Sequence, residues 1–264
     1  MRTSRLHIVI GGFLFFLSFS FVHAQGPWKG KHAAVVLTYY DALNVHLDNV
    51  IPCLDSSGIK GTFYLSAYFP GCRERISDWR GSAQRGHELG NHTLFHPCAG
   101  NIPGRQWVTM ERDMSRYSLQ RLLEEIRMTN VFLEAVDGKK RRTFAYPCGD
   151  TDIGDSSYIK EIKNDFIGAR GVKNGFVSPD QREFYNVDAI AVNGQSGAEL
   201  IDLVKKAVKS RKLVVFLFHG VGGEHALNVG LKEHRDLVHY LKSNEKDIWV
   251  APFIEVIQFM QAKK

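Results

Sequence analysis

Three segments of the sequence end in side chains that can bind a metal ion or transfer a proton. Asp41 follows AAVVLTYY, His92 and His96 lie in NHTLFHP, and His219 follows LVVFLF. A carboxylate at the end of a buried strand is costly unless something pairs with it. One carboxylate and two neutral imidazoles suit Zn²⁺, with a position left for water. We therefore predict a cation held by Asp41, His92 and His96; surface or hydrogen-bonded histidines are the alternative.

His219 ends the most apolar run of the chain and is followed by Gly220, Gly222 and Gly223. Imidazole titrates near neutral pH, so a histidine here can protonate a leaving group. The glycines leave room for a ligand beside the ring. The alternative is a core histidine whose ring bonds a backbone carbonyl.

Strand and helix patterns alternate along the chain and place these residues where strands end. Strands are predicted at 32–40, 61–66, 88–92, 143–146, 167–169, 213–218 and 248–251, and helices at 45–56, 76–85, 117–136, 159–163, 198–209, 231–243 and 253–261. Continuously apolar strands that alternate with helices are typical of a parallel sheet covered by helices. Seven such strands predict a closed or nearly closed barrel, with the polar residues on one rim.

Residues 1–24 have the pattern of a signal peptide, and residues 25–264 are expected to form one domain. Arg2 and Arg5 precede an apolar run that ends in the small-residue cleavage site VHA. The alternative is an uncleaved membrane anchor, although the run barely reaches the ~18–20 residues that a span needs. We expect a secreted or periplasmic protein without a stable membrane anchor.

The composition argues against a nucleic-acid-binding protein. Hydrophobic residues make up 44% and charged residues 23% of the chain, which is ordinary for a globular protein. The net charge is +6, and it becomes +4 once the two leader arginines are removed. The basic run at 139–142 follows Asp137-Gly138 and has the pattern of a solvated turn, so nucleic-acid binding is not predicted.

The four cysteines are Cys53, Cys72, Cys98 and Cys148. Their spacing matches no zinc finger, and an exported protein meets an oxidising compartment in which disulfides form. Cys72 and Cys98 both lie in predicted loops, so we predict a bridge between them. Cys53 lies in an amphipathic helix and is expected to be a small buried hydrophobe.

From residue 32 to residue 259, the chain resembles the polysaccharide deacetylases of the NodB-homology type, carbohydrate esterase family 4. Their motif Thr-Phe-Asp-Asp-Gly is similar to TYYDA at 38–42, and His-Ser/Thr-x-x-His matches HTLFH at 92–96. Arg-x-Pro-Tyr-Gly is similar to AYPCG at 145–149, and Leu-x-His matches LFH at 217–219. The resemblance implies an α/β fold, a distorted (β/α) barrel of about seven parallel strands.

The resemblance also implies roles for individual residues. The metal ligands would be Asp41, His92 and His96, with Zn²⁺ expected first and Co²⁺, Ni²⁺ or Mn²⁺ as alternatives. His219 would be the general acid, and the backbone N–H of Cys148 would help to form the oxyanion hole. The expected partner is an acetylated oligo- or polysaccharide. Aromatic side chains near the rim are expected to stack on its sugar rings: Tyr39, Tyr68, Phe69, Trp107 and Tyr146.

Two positions depart from the family pattern. The family's catalytic base, the first Asp of its first motif, is replaced by Tyr40, and the Arg that orients that base is replaced by Ala145. The two losses are linked, because an Arg without its carboxylate would be a buried unpaired charge. A Tyr with a pKa near 10 is a poor base at neutral pH. Loss of a general base typically lowers the rate about 10²–10⁴-fold.

Three consequences of Tyr40 stay open from the sequence. Metal-activated water could react slowly without a base. Asp150 could serve as the base, although an Asp after Gly149 is more typical of a turn. Or the protein could bind a glycan without cleaving it. The predicted function is a metal-dependent carbohydrate deacetylase of weak activity; a glycan-binding protein on the same scaffold is the alternative. A hydrolase of small cyclic amides is disfavoured, because related barrels with that activity tend to lack the metal triad.

Overall fold

The computed structural model describes residues 26–263, in which parallel strands form one curved sheet with helices on its faces. The strands are β1 Ala33–Tyr40, β2 Thr62–Leu65, β3 Glu88–Asn91, β4 Phe144–Ala145, β5 Asp152–Ile153, β6 Ser156–Ser157, β7 Ala169–Arg170, β8 Ile190–Ala191, β9 Leu213–Phe218, β10 Gly220–Val221, β11 Asn228–Val229 and β12 Ile248–Val250. The α-helices are α1 Ile51–Ser56, α2 Pro70–Arg73, α3 Ile76–Gln84, α4 Leu119–Asp137, α5 Gly197–Ser210, α6 Leu231–Ser243 and α7 Phe253–Ala262. A π-helical turn, His46–Val50, leads into α1, and 3₁₀ turns occur at Met110–Arg112, Met114–Arg116 and Pro147–Gly149.

The sheet order is β7-β4-β3-β2-β1-β9-β8, and β12 pairs with the first half of β1. All of these pairs are parallel. Val187 bridges to Arg170 of β7, and Ile190 of β8 pairs with Phe216 of β9, so one short segment connects the two edges. The sheet therefore curls into a nearly closed barrel, which confirms the predicted distorted (β/α) fold. Strand β8 is an eighth strand, in addition to the seven that the sequence predicted.

The central strand β1 is buried along its whole length because its two faces pack on different cores. Its odd-numbered residues, from Ala33 to Tyr39, pack in the cluster that includes residues of α1, α3, α5 and α6. Ala34, Val36 and Tyr40 pack in the cluster that includes α7. This explains why β1 reads as a continuous apolar run rather than an alternating one.

Local signals fix where the long helices begin and end. At the start of α5, Ser196 and Glu199 form a capping box, in which each side chain bonds the other residue's backbone N–H. Helix α4 begins after Ser118, whose hydroxyl caps the first turn, and ends before Gly138, whose backbone lies in the left-handed region with φ 72°.

The predicted disulfide between Cys72 and Cys98 is wrong. Cys98 is bonded to Cys148, with a Cα–Cα distance of 5.8 Å. These two residues lie in the loops after the neighbouring strands β3 and β4, which bring them together. Cys72 instead lies in α2 as a buried free thiol, whose burial raises its pKa to about 12. Cys53 is half-buried against the core, close to its expected place.

Two of the predicted helices differ from the observed structure. The predicted helix at 159–163 is a series of turns, and the predicted helix at 45–56 begins as the π-helical turn. The predicted signal peptide, residues 1–24, lies outside the described residues. Within residues 26–263, no helix combines the length and the apolar character that a membrane span requires.

Candidate active site

The carboxyl ends of four parallel strands carry the polar residues singled out from the sequence. Asp41 directly follows β1, His92 follows β3, Tyr146 follows β4 and His219 follows β9. Because the strands are parallel, these ends meet at one rim, where they line a cavity of about 330 Å³. Eight of the nine predicted site residues line it: Tyr40, Asp41, His92, His96, Trp107, Tyr146, Cys148 and His219.

The buried carboxylate of Asp41 lies at the centre of four imidazoles. Its Oδ1 is 3.5 Å from Nε2 of His92 and 3.4 Å from Nε2 of His96. Its Oδ2 is 3.9 Å from Nε2 of His219 and 4.0 Å from Nε2 of His225. Among the described residues, Oδ1 has no hydrogen-bond partner. Burial raises the pKa of Asp41, but the surrounding histidines outweigh it and leave the pKa below its ordinary value.

The loops around this carboxylate contain backbone conformations that non-glycine residues rarely adopt. Positive φ angles occur at Asp41 (74°), Ala42 (53°), Thr93 (65°), His96 (56°) and Cys148 (55°). Such conformations persist only where the surrounding structure imposes them, and they cluster at functional sites. Two of the three predicted metal ligands are among them.

The donor atoms of Asp41, His92 and His96 fit a divalent cation. They lie within 4.8 Å of one another. Nδ1 of His92 is 2.8 Å from the carbonyl oxygen of Ala145, so the ring donates from Nδ1 and keeps the lone pair of Nε2 toward Asp41. This is the arrangement that metal-bound histidines adopt. Burial lowers the pKa of His92 to about 3, which keeps the ring in the neutral state that a metal ligand needs.

His219 and His225 form a second group on the other side of Asp41. Their rings stack with centroids 4.5 Å apart, and burial lowers the pKa of His219 to about 4. His225 was not singled out from the sequence. The signal that could have found it is its place in the glycine-rich segment GVGGEHALN, five residues beyond Gly220. Glu224 fixes its loop by accepting hydrogen bonds from the Val45 N–H and from an Asn44 side chain.

The turn that carries Cys148 is held on two sides. The disulfide ties it to Cys98, two residues beyond His96. Gly149 has φ 75°, and a Cβ there would lie 2.3 Å from a methyl group of Val172. The three atoms of His96, Cys98 and Cys148 also lie close enough to share an ion, but both sulfurs are used in the disulfide.

The position of the family's base is filled by an aromatic ring. Tyr40 is 2% exposed, and its hydroxyl has no hydrogen-bond partner among the described residues. The ring stacks on those of Tyr64 and His219, at 5.4 and 5.3 Å between centroids. On another side, the guanidinium carbon of Arg170 lies 4.1 Å from the ring centroid. Arg170 lines the cavity as well and was also missed from the sequence.

Asp150 is the predicted site residue that does not line this cavity. Its Oδ2 accepts hydrogen bonds from the backbone N–H of Ala99 and from Arg105. Its backbone carbonyl accepts one from the hydroxyl of Tyr158. The structure therefore places Asp150 as a tie between two loops, as expected of a turn residue.

Two of the predicted sugar-stacking residues, Trp107 and Tyr68, are exposed, and two others, Phe69 and Tyr146, pack against neighbouring groups. Trp107 lines the cavity and is 62% exposed, and Tyr68 is 45% exposed. Phe69 lies against His96, with ring centroids 5.8 Å apart. Tyr146 is buried and donates its hydroxyl to the carbonyl of Tyr185, although its ring lines the cavity.

Tyr39 does not belong to the rim. It is completely buried, on the opposite face of β1 from Tyr40, and its hydroxyl bonds Nε2 of His234 at 2.8 Å. Adjacent residues of a strand point to opposite faces, so only one of the two tyrosines can reach the cavity.

Comparison with known proteins agrees with this architecture. The sequence profile of the polysaccharide deacetylase family matches residues 29–164, just over half of the chain. The uncharacterized protein YlxY of Bacillus subtilis (strain 168) is 30% identical over 106 residues, which are 40% of this chain and 28% of YlxY. The chain therefore matches little more than a quarter of the length of that relative.

Solved structures share the fold at low identity. A probable polysaccharide deacetylase from Pseudomonas aeruginosa PAO1 superposes with a TM-score of 0.63 at 10% identity, over 90% of this chain and 94% of that one. A putative polysaccharide deacetylase from Mycobacterium smegmatis gives 0.59 at 12%, over 88% and 91%. A mutant of BA3943, a CE4 family pseudoenzyme with restored enzymatic activity, gives 0.50 at 17%, over 85% and 67%. On the extent of the profile match, the chain belongs to the polysaccharide deacetylase family.

Proposed function

We propose that this protein is a metal-dependent hydrolase that removes N- or O-acetyl groups from an acetylated sugar or polysaccharide. The observation that carries the proposal is the convergence of Asp41, His92 and His96 in the lining of one cavity. Membership of the polysaccharide deacetylase family supports the reaction class. The pattern of residues 1–24 supports a secreted or periplasmic location.

Asp41, His92 and His96 would hold the cation. One oxygen and two nitrogen donors favour Zn²⁺, with Co²⁺, Ni²⁺ and Mn²⁺ as alternatives. A bound cation of this kind polarises an acyl carbonyl and lowers the pKa of water to about 7. The Ala145 carbonyl holds the His92 ring in the orientation that this requires.

The remaining residues bind the substrate and handle its charge. His219 stands beside Asp41, and its pKa of about 4 leaves the ring neutral at pH 7, so it would take a proton from the attacking water and pass it to the departing nitrogen or oxygen. The backbone carbonyl of His219 lies 2.8 Å from Nε2 of His46, which fixes the end of β9. The backbone N–H of Cys148 would donate to the developing oxyanion. Trp107 offers an exposed aromatic face for a sugar ring.

Tyr40 limits the expected rate. Its phenol is buried, and the hydroxyl has no hydrogen-bond partner among the described residues. The contacts of Asp150 with Arg105 and Ala99, and its place outside the cavity lining, argue against Asp150 as the missing base. We therefore propose slow turnover that depends on the cation and on His219, without a carboxylate base. The same observation favours a second candidate, a glycan-binding protein without deacetylase activity; BA3943, a CE4 family pseudoenzyme of this fold, is a precedent for the missing activity.

Acetate release separates the two candidates. The wild type and the variants Tyr40→Asp, Tyr40→Phe and Asp41→Ala would be assayed with Zn²⁺ on chitin-like, peptidoglycan and xylan oligomers. The hydrolase proposal predicts slow release by the wild type and by Tyr40→Phe, and release about 10²–10⁴-fold faster by Tyr40→Asp. Asp41→Ala should release none.

The result that would refute the hydrolase is the absence of acetate release from every substrate by both the wild type and Tyr40→Asp while the cation stays bound. Retained affinity for one of these oligomers under those conditions would support the glycan-binding protein. Equal gains from Tyr40→Phe and Tyr40→Asp would show that the hydroxyl of Tyr40, not a missing base, limits the rate.

A further inference from the structure

Arg170 on β7 carries a charge that nothing in the described part of the chain neutralises. Its side chain is fully buried. Nη1 donates to the carbonyl of Gly171, whereas Nε and Nη2 have no partner among the described residues. Burial alone lowers the pKa of Arg170, and no acidic neighbour opposes that effect. A guanidinium nevertheless stays protonated in proteins, so the charge persists.

The other buried arginine among the described residues, Arg142, does have a carboxylate partner. Arg142 is 1% exposed, and its two terminal nitrogens contact the carboxylate of Asp137 at 3.3 and 3.4 Å. It also donates to the carbonyl of Leu89. A buried charge that lacks its partner is strongly destabilising. The contrast indicates that an anionic partner is missing beside Arg170.

The place of the missing partner follows from the sheet register. Arg170 pairs in register with Ala145, which stands where the family has the arginine that orients its base. The guanidinium therefore lies one strand over, at the same level of the sheet. Its carbon is 4.1 Å from the ring centroid of Tyr40. An aromatic face attracts a cation, but it accepts no strong hydrogen bond from Nε and Nη2.

The two unpartnered nitrogens define the kind of partner. Nε and Nη2 form one edge of the planar guanidinium, and such an edge binds the two oxygens of a carboxylate by parallel hydrogen bonds. An Asp at position 40 is shorter than Tyr, so its carboxylate would lie in the space taken by the near side of the present ring. Phosphate is larger and fits that enclosed space less well.

We propose that Arg170 is a carboxylate-binding residue that would position a carboxylate base introduced at position 40, in place of the arginine absent at position 145, and that the Tyr40 ring now occupies the carboxylate's space. The inference deepens the proposed function, because it explains how a single change at position 40 completes the site. Its test measures folding and binding without metal, so failure of acetate release and failure of this inference are distinguishable.

The first test is a double-mutant cycle in urea, without metal. Tyr40→Asp and the neutral, equally sized Tyr40→Asn are each made in the wild-type and Arg170→Met backgrounds. The cavity left by the lost ring is common to both and cancels. Replacing Asn by Asp should lower the unfolding equilibrium constant about ten-fold more in the wild-type background than in the uncharged Arg170→Met background, which is the effect of a charged hydrogen bond. Equal Asp–Asn differences in the two backgrounds would overturn the inference.

A second measurement keeps the test open if Tyr40→Asp does not fold. Tyr40→Gly removes the ring, and formate, the smallest carboxylate, is titrated calorimetrically into Tyr40→Gly and into Tyr40→Gly/Arg170→Met. Saturable binding that is lost with Arg170 supports the carboxylate site. Equal binding to both proteins, or none to Tyr40→Gly, contradicts it.

Discussion

Removal of the Cys98–Cys148 disulfide tests how the rim of the barrel is held together. The two residues are separated by 50 positions in the sequence. Cross-linking a loop of this length restricts the unfolded chain, and the chain-entropy relation gives about 4 kcal/mol at 25 °C. We therefore expect Cys98→Ser/Cys148→Ser to lower the free energy of unfolding by about that amount in urea.

Cys53→Ser is the control, because Cys53 is a half-buried free thiol that takes no part in the disulfide. Its free energy of unfolding should fall by much less than that of the double variant. Since Cys98 lies two residues beyond His96, the double variant should also bind Zn²⁺ more weakly. A double variant as stable as the wild type, with the same zinc affinity, would show that the bridge does not support the rim.

Three further predictions concern single side chains. Burial lowers the pKa of His234 to about 3, whereas its pKa in the unfolded chain is near 6.5. Between these two pH values the unfolded state binds a proton at His234 and the folded state does not, so the protein loses stability as the pH falls. This term should remove about 2 kcal/mol of unfolding free energy between pH 7 and pH 5, and His234→Asn should flatten the pH slope; an unchanged slope would contradict the assignment. Trp107→Ala should raise the KM for an oligosaccharide roughly five-fold, from about 1 kcal/mol of lost contact, whereas the exposed Met110→Ala on the same loop should not; equal effects would contradict a sugar contact at Trp107. Asp150→Asn should lower the unfolding free energy by about 1–3 kcal/mol through the lost Arg105 contact and leave acetate release per folded molecule unchanged; a rate loss of 10²-fold or more would restore Asp150 as the base.

The main elements could be predicted from the sequence because their signals are local. The bounds of α6 were predicted to the residue, and those of β1 differ by one residue at its start. Apolar runs and helical periodicity encode such elements directly. The residues Asp41, His92, His96 and His219 were predicted to converge because each follows a strand of a parallel sheet, and they line one cavity.

What the sequence did not reveal depends on register and on distant contacts. The pairing of Cys98 with Cys148 follows from the adjacency of β3 and β4, which no spacing of cysteines encodes. The position of Arg170 beside Ala145 follows from the register between β4 and β7, which the sequence does not encode locally. His225 reaches Asp41 through a loop whose path is set by Glu224.

The segment 159–163 is a case in which the local sequence predicted the wrong secondary structure. Its residues suggested a helix, yet the chain there forms successive turns. Tyr158 and Ile162 are both completely buried against the same cluster as residues of α4. Tertiary packing overrides a weak local preference in so short a segment.

Metal binding tests the central claim most directly. The purified chain would be titrated with Co²⁺, followed by its absorption spectrum, and with Zn²⁺ by calorimetry. We predict one cation per chain, with binding lost in His92→Ala and kept in His225→Ala, because the proposed ligands are Asp41, His92 and His96. Absence of binding in the wild type, or unchanged binding in His92→Ala, would contradict the account.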